Sequence, residues 1–214
     1  MSRLRIRFSY CLIIFVALFC FAANTQPALA QDDKPNAKSD WTNLDTQLYL
    51  IVGTNQEVGD AKMPAVLDQV IKELRATLPF KNYRLSATLI NRVKSDGHLG
   101  LKWIGGPLLA SAAATTSTPS FNDFNVRSVT LVDDAEGHKI IRMDSFSFGS
   151  RIPIQTYAAV ASTGSPTPII NYESTGLTTD ISMREGEAVV VGTLNVGPSG
   201  DAIILVVSAK RAVK

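Results

Sequence analysis

Apolar positions in the chain gather in short runs divided by turn residues, and two β-branched runs close the sequence. Ala188-Val189-Val190-Val191-Gly192-Thr193-Leu194 and Ala202-Ile203-Ile204-Leu205-Val206-Val207 flank Gly197-Pro198-Ser199-Gly200-Asp201, the pattern of a β-hairpin. Neither run alternates with polar residues, so both faces of each strand are expected against protein. Two strands alone do not offset the entropy of ordering them. The hairpin therefore needs partners, and the stretches Arg151–Thr156 and Ile169–Met183 are the expected ones.

Upstream, Leu48–Val52 is β-rich and closed by Gly53, a strand. A loop with Gly59 leads to Asp60 as N-cap, with Pro64 tolerated in the first turn. Val66, Leu67, Val70, Ile71, Leu74 and Leu78 then recur at helical spacing, giving one buried stripe that stops before Pro79. Phe80–Val93 returns as a strand with Tyr83, Leu85, Ala87 and Leu89 on one parity. Across the Asp96-Gly97 turn, Leu99–Ile104 is expected to pair back on it. Beyond residue 120 every run reads as strand: Asn125–Val132, His138–Phe148, Arg151–Val160 and Ile169–Met183, with a small-residue loop Ala161–Pro168. The fold class is α+β, a small sheet with one amphipathic helix followed by mostly antiparallel strands. The expected divisions are 1–30 leader, 31–43 polar tether, 44–109 strand-helix-strand-strand unit, 110–120 low-complexity linker or loop, and 121–214 β-domain.

The leader changes the charge picture. Arg3, Arg5 and Arg7 precede the apolar stretch Cys11–Ala23, and Ala28-Leu29-Ala30 fits a small-x-small cleavage site. The apolar stretch falls short of the about 20 residues that a spanning helix needs, so cleavage is expected and no span in the mature chain. An uncleaved anchor is the alternative. Lipid attachment at Cys20 would want a small residue where Phe19 stands. The whole chain has 21 Lys and Arg against 19 acidic residues, and losing three arginines leaves 18 against 19, a net of −1. No nucleic-acid partner is inferred from that balance. Both cysteines, Cys11 and Cys20, lie in the leader, so the exported part has no disulfide and no thiol chemistry.

Acid/base groups are scarce. His98 and His138 each follow a turn glycine, where a histidine is ordinarily a solvated turn residue. His138 with Asp133, Asp134 and Glu136 would be the candidate metal cluster, yet that run lacks the spacing of a calcium loop. A polar hairpin tip explains it as well. No nucleophile elbow, zinc-protease helix, phosphate loop or dinucleotide fingerprint occurs. Tyr83 and Trp103 on strands could line a groove or simply pack. No catalytic, cofactor or metal residue is assigned, and no enzyme is expected.

At Arg151 the strands take on a recognisable order. Phe148-Gly149-Ser150-Arg151-Ile152-Pro153-Ile154-Gln155-Thr156, then Asn171-Tyr172-Glu173-Ser174-Thr175-Gly176-Leu177, then Gly186-Glu187-Ala188-Val189-Val190-Val191-Gly192-Thr193 and a closing apolar strand resemble the β-domain of bacterial secretins over residues 145–210. Thr193 stands where that family has a second glycine, and the stretch supplying membrane-spanning hairpins is missing. The resemblance implies an exported periplasmic or outer-membrane-associated protein acting by protein–protein contact, with itself or with a type II or III secretion apparatus. Two other readings stay open: a monomeric small-ligand-binding β-sandwich with Trp103 and the 110–120 loop at its mouth, and a hydrolase using His98 or His138.

Overall fold

The computed structural model of the chain describes residues 42–57, 63–106, 118–157, 168–196 and 200–213, all in the unit Asp40–Lys214. The leader, residues 31–41 of the tether, Asp60, residues 110–117 of the expected linker and 161–167 of the small-residue loop lie outside the described residues, while Asn43, the end of the expected tether, opens the first strand. Eight antiparallel strands follow one another: β1 Asn43–Thr54, β2 Asn82–Lys94, β3 Gly97–Gly105, β4 Ser120–Asp133, β5 Lys139–Tyr157, β6 Pro168–Arg184, β7 Ala188–Val196 and β8 Asp201–Arg211. A 3₁₀ turn, Ala65–Leu67, runs into the one described helix, α1 Asp68–Thr77. The fold is α+β, as the pattern predicts.

The strands form two four-stranded sheets, β2-β1-β8-β7 and β3-β4-β5-β6. Every hydrogen-bonded neighbour is also a neighbour in sequence except one, the pairing of β8 with β1 from Leu44↔Arg211 to Gly53↔Ala202. The closing hairpin forms as predicted, but its other partner is the first strand rather than β5 or β6. Strand parity accounts for this. In β8, Ile203, Leu205, Val207 and Ala209 enter the interior shared by both sheets, and Ile204 and Val206 enter a second cluster under the helix. Only a strand inside its sheet with cover on each side can bury both parities, and β1 under α1 supplies that place.

The first strands and the last therefore share a sheet across the expected 110–120 boundary. A second departure lies at Asp96-Gly97. Asp96 turns with φ 64° and its N–H bonds to Val129 O at 2.8 Å, which carries the chain to the other sheet. Consequently β3 pairs with β4, not with β2.

Bulges decide which face each run presents. Ser86 is skipped between Leu50↔Ala87 and Ile51↔Leu85, so Tyr83 and Leu85 pack under the helix while Ala87 and Leu89 face the interior. One parity in sequence thus serves two cores. In β5 the irregularity at Asp144-Ser145, with the Ser145 N–H on Asp180 Oδ1 at 2.6 Å, keeps Met143, Phe146 and Phe148 all inside. The strand then continues through Gly149 instead of breaking there. In α1, Val70, Ile71 and Leu74 are buried, but Val66 is 43% exposed. It lies in the 3₁₀ turn, whose three-residue repeat rotates it off the α-helical stripe. The helix ends at Leu78, extended before Pro79.

Three glycines of the secretin-like stretch sit where strands approach closely. A Cβ on Gly149 would strike the Asp123 carboxylate, and Gly149 pairs with Gly176, where a Cβ would lie 2.5 Å from Phe148 O. At Gly192 it would meet Leu177 Cδ2 at 2.7 Å. That last contact brings β7 beside β6 at one corner between the sheets.

Candidate functional site

The outward face of the β3-β4-β5-β6 sheet carries aromatic and cationic side chains where alternation calls for plain polar ones. In β4 the inner parity, Ser120, Asn122, Phe124 and Val126, is buried, so Phe121, Asp123, Asn125 and Arg127 face out. Pairing carries Ile104 to Phe121 and Phe121 to Arg151, while Tyr172 lies diagonal to Arg151 through its partner Pro153. The Phe121 and Tyr172 rings are 5.5 Å apart at 57°. The Arg151 guanidinium lies 6.0 Å from the first centroid and 5.7 Å from the second, a cation held against two aromatic faces. Ile104 is 69% and Phe121 39% exposed. A shallow cleft of about 290 Å³ is lined by Ile104, Phe121 and Arg151 together with Lys102, Trp103 and Asn122.

Its floor is fixed. Ser150 Oγ donates to Asn122 Oδ1 at 2.7 Å, Asn122 Nδ2 to Ser120 Oγ at 3.1 Å, and Ser120 Oγ to Gly106 O at 3.0 Å. All three side chains are buried, so the chain of bonds satisfies them without water. Trp103 leans on Phe148 with centroids 6.4 Å apart. Past Arg151, β5 and β6 go on alone: β4 pairing stops at Phe121↔Arg151, but β5–β6 pairing continues to Tyr157↔Pro168. Pro153 offers no N–H for a further neighbour at that edge. The projecting hairpin exposes Ile169 and Ile170.

The residues singled out in sequence go elsewhere. Asp134, Glu136 and His138 do converge at the β4–β5 turn, each offering a ligand atom within 4.8 Å of the others. His138 Nδ1 is 3.1 Å from Asp134 Oδ2 and 3.4 Å from Glu136 Oε2. Asp133 turns away to Lys139 Nζ at 2.6 Å. Asp134 Oδ1 accepts the backbone N–H groups of Glu136 and His138 at 2.9 and 2.8 Å. The His138 N–H is the main reason its carboxyl is held below the usual aspartate value. Turn closure accounts for these contacts. His98 is exposed on β3, and nothing brings it to that cluster. Tyr83 is buried under α1, its hydroxyl donating to Leu74 O at 2.9 Å, a packing role. The sequence pattern alone does not bring Phe121, Arg151 and Tyr172 together. Their signal in the sequence is an aromatic on the polar parity of a strand that alternates.

No protein-family model and no curated protein matches the chain. Among solved structures the chain is similar to secretins. Over 81% of its length it aligns with the Salmonella SPI-1 type III secretion injectisome secretin InvG, at 11% identity, TM-score 0.33 and 65% of that chain. The V. cholerae type IV competence pilus secretin PilQ aligns at 10% identity, TM-score 0.32, over 81% of this chain and 58% of its own. A chain of the Klebsiella pneumoniae type II secretion outer membrane complex, which contains PulD, PulS and the PulC HR domain, aligns at 12% identity and TM-score 0.32, over 81% and 39%. The chain thus spans less than two thirds of each of these proteins. A likeness at such TM-scores carries no argument of its own about what the chain does.

Proposed function

We propose that the chain is an exported, non-catalytic envelope protein that acts through protein–protein contacts, as an accessory to or relative of a secretin. The observation that supports contact is the Ile104–Phe121–Arg151–Tyr172 row beside a projecting hairpin. Aromatic and arginine side chains on a rigid sheet face are the composition of interface hot spots. The link to secretion rests on the ordered motifs of residues 145–210, whose glycines Gly149, Gly176 and Gly192 occupy the tight approaches between strands. Among the described residues no helix is long and apolar enough to cross a membrane, which leaves strand-built spans undecided. Export is read from the Arg3–Ala30 leader.

Light scattering on size-exclusion fractions, with and without solubilised envelope, tests the reading. The exported protein is expected to run as an assembly or to shift to higher mass with an envelope partner, and a Phe121→Ser, Arg151→Glu variant to lose that shift. A strict monomer in both settings would sink the proposal. A second reading, small-ligand binding, has the cleft at Trp103 in its favour. Thermal-shift screening of envelope metabolites separates it, since a ligand at a hundred times its Kd adds about 2.7 kcal/mol.

A further inference from the structure

Arg151 is the cation of the aromatic face, and its hydrogen-bond donors are unfilled. Its guanidinium lies against the Phe121 and Tyr172 rings. Such contacts use the faces of the guanidinium plane, whereas its N–H groups point outward within that plane. Among the described residues no carboxylate comes within 4.0 Å of it and no acceptor takes its donors. Arg92, Lys139 and Arg211, by contrast, are paired with Asp45, Asp133 and Glu185. Asp123, on the same face, is already engaged: it stands opposite Lys102, its carboxylate lies over Gly149, and it accepts from Asn125 Nδ2 at 3.5 Å. A guanidinium held in place by two rings, with its fork of donors empty, is built to take a carboxylate through two parallel bonds.

The neighbours decide which carboxylate. Adjacent strands stand about 4.8 Å apart, so along the pairing Ile104↔Phe121↔Arg151 the exposed Phe121 and Ile104 side chains lie on one side of Arg151, about 5 and 10 Å away. On the other side Tyr172 adjoins it, and Ile170, on the same parity of β6, is 44% exposed. In an extended chain, residues two apart point to one face at a spacing of about 6.7 Å. An acid seated on Arg151 therefore lays the side chains two before and two after it over Phe121 and Ile104 on one side and Tyr172 and Ile170 on the other. A chain ending in its own carboxylate would cover only one of these sides. We propose that this face binds an acidic side chain within an extended segment of a partner protein, flanked two positions away on each side by a large apolar residue. The inference rests on the protein-contact reading and names the chemistry of the partner at that same face.

The test titrates the exported protein with end-blocked seven-residue peptides and follows nitrogen–proton NMR spectra, in which the Arg151 Nε signal is identified by its loss in Arg151→Gln. The first peptide has Leu, Glu and Leu at its second, fourth and sixth positions among serines. A second carries Gln for Glu, a third Ser for both Leu, and a fourth the Gln centre with a free C-terminal carboxylate. The first should shift the Arg151 Nε–H signal and bind about tenfold or more tightly than each of the others. That preference should vanish in Arg151→Gln and persist in Arg142→Gln, which removes an exposed arginine farther along β5. No shift at Arg151, equal binding of the Glu and Gln peptides or of the free carboxylate, a preference that survives Arg151→Gln, or displacement by inorganic phosphate at the peptide's own concentration would each overturn the proposal. Each would do so even with the envelope mass shift present, which alone decides the contact reading.

Discussion

Two glycine substitutions separate backbone crowding from side-chain crowding in this fold. At Gly176 an added Cβ would lie 2.5 Å from Phe148 O and 3.2 Å from Gly149 Cα. Both are main-chain atoms of β5, which is held between β4 and β6 and cannot step aside without breaking ladder bonds. At Gly192 the nearest atom is Leu177 Cδ2, 2.7 Å away, the end of a side chain that can turn. Overpacking against fixed neighbours costs about 1–3 kcal/mol, while Gly→Ala within a strand recovers about 0.5–1 kcal/mol. Gly176→Ala should therefore lose about 1–2 kcal/mol, a fall in Tm of roughly 2–8 °C at this chain length. Gly192→Ala, where a rotamer change costs about 0.5–1.5 kcal/mol, should stay within about 0.5–1 kcal/mol of wild type. Urea and thermal unfolding followed by circular dichroism measure both, with an unchanged m-value as the control for two-state behaviour. Gly176→Ala as stable as wild type, or Gly192→Ala the more damaging of the two, would refute the Gly149↔Gly176 register.

Two further outcomes follow from individual contacts. Tyr83→Phe removes the hydroxyl that donates to Leu74 O, but that carbonyl keeps the Leu78 N–H at 2.8 Å, so the loss in denaturation should be about 0.5–1.5 kcal/mol rather than the larger cost of an orphaned group. Glu185 is held below the ordinary glutamate value, first by its side-chain hydrogen bond from Arg211, whose Nε lies 2.9 Å from Oε1. A depressed folded-state value means stabilisation present above the unfolded value and lost as pH falls through the folded one. Glu185→Gln should therefore flatten the acid limb of the stability profile below the ordinary glutamate range and leave the neutral-to-alkaline limb parallel to wild type. An unchanged acid limb would discount the pair.

Local pattern was enough for elements and not for their partners. The apolar run of β8 predicts burial on both faces, and that holds from Asp201 to Ala209, but the same expectation fails in β7, where burial alternates and Val190 is 36% exposed. What no single strand announces is that its neighbour comes from the far end of the chain, because β1 and β8 are equally apolar partners for several strands. Bulges hid the rest. Ser86 moves Tyr83 to the helix side, and Asp144-Ser145 lets β5 run on through a glycine that reads as a break. For the candidate face, the alternation in β4 does mark Phe121 as outward, but only the register of three strands puts Arg151 and Tyr172 against it.

The most direct test of the central claim places a photo-crosslinking phenylalanine analogue at position 121 and, separately, at position 66, in the protein expressed in its own envelope. Both sites are exposed, one on the aromatic face and one beside the helix. The account predicts a discrete higher-mass protein adduct from position 121, lost when Arg151→Glu is added, and none from position 66. No adduct at position 121, or the same adducts from both positions, would contradict it.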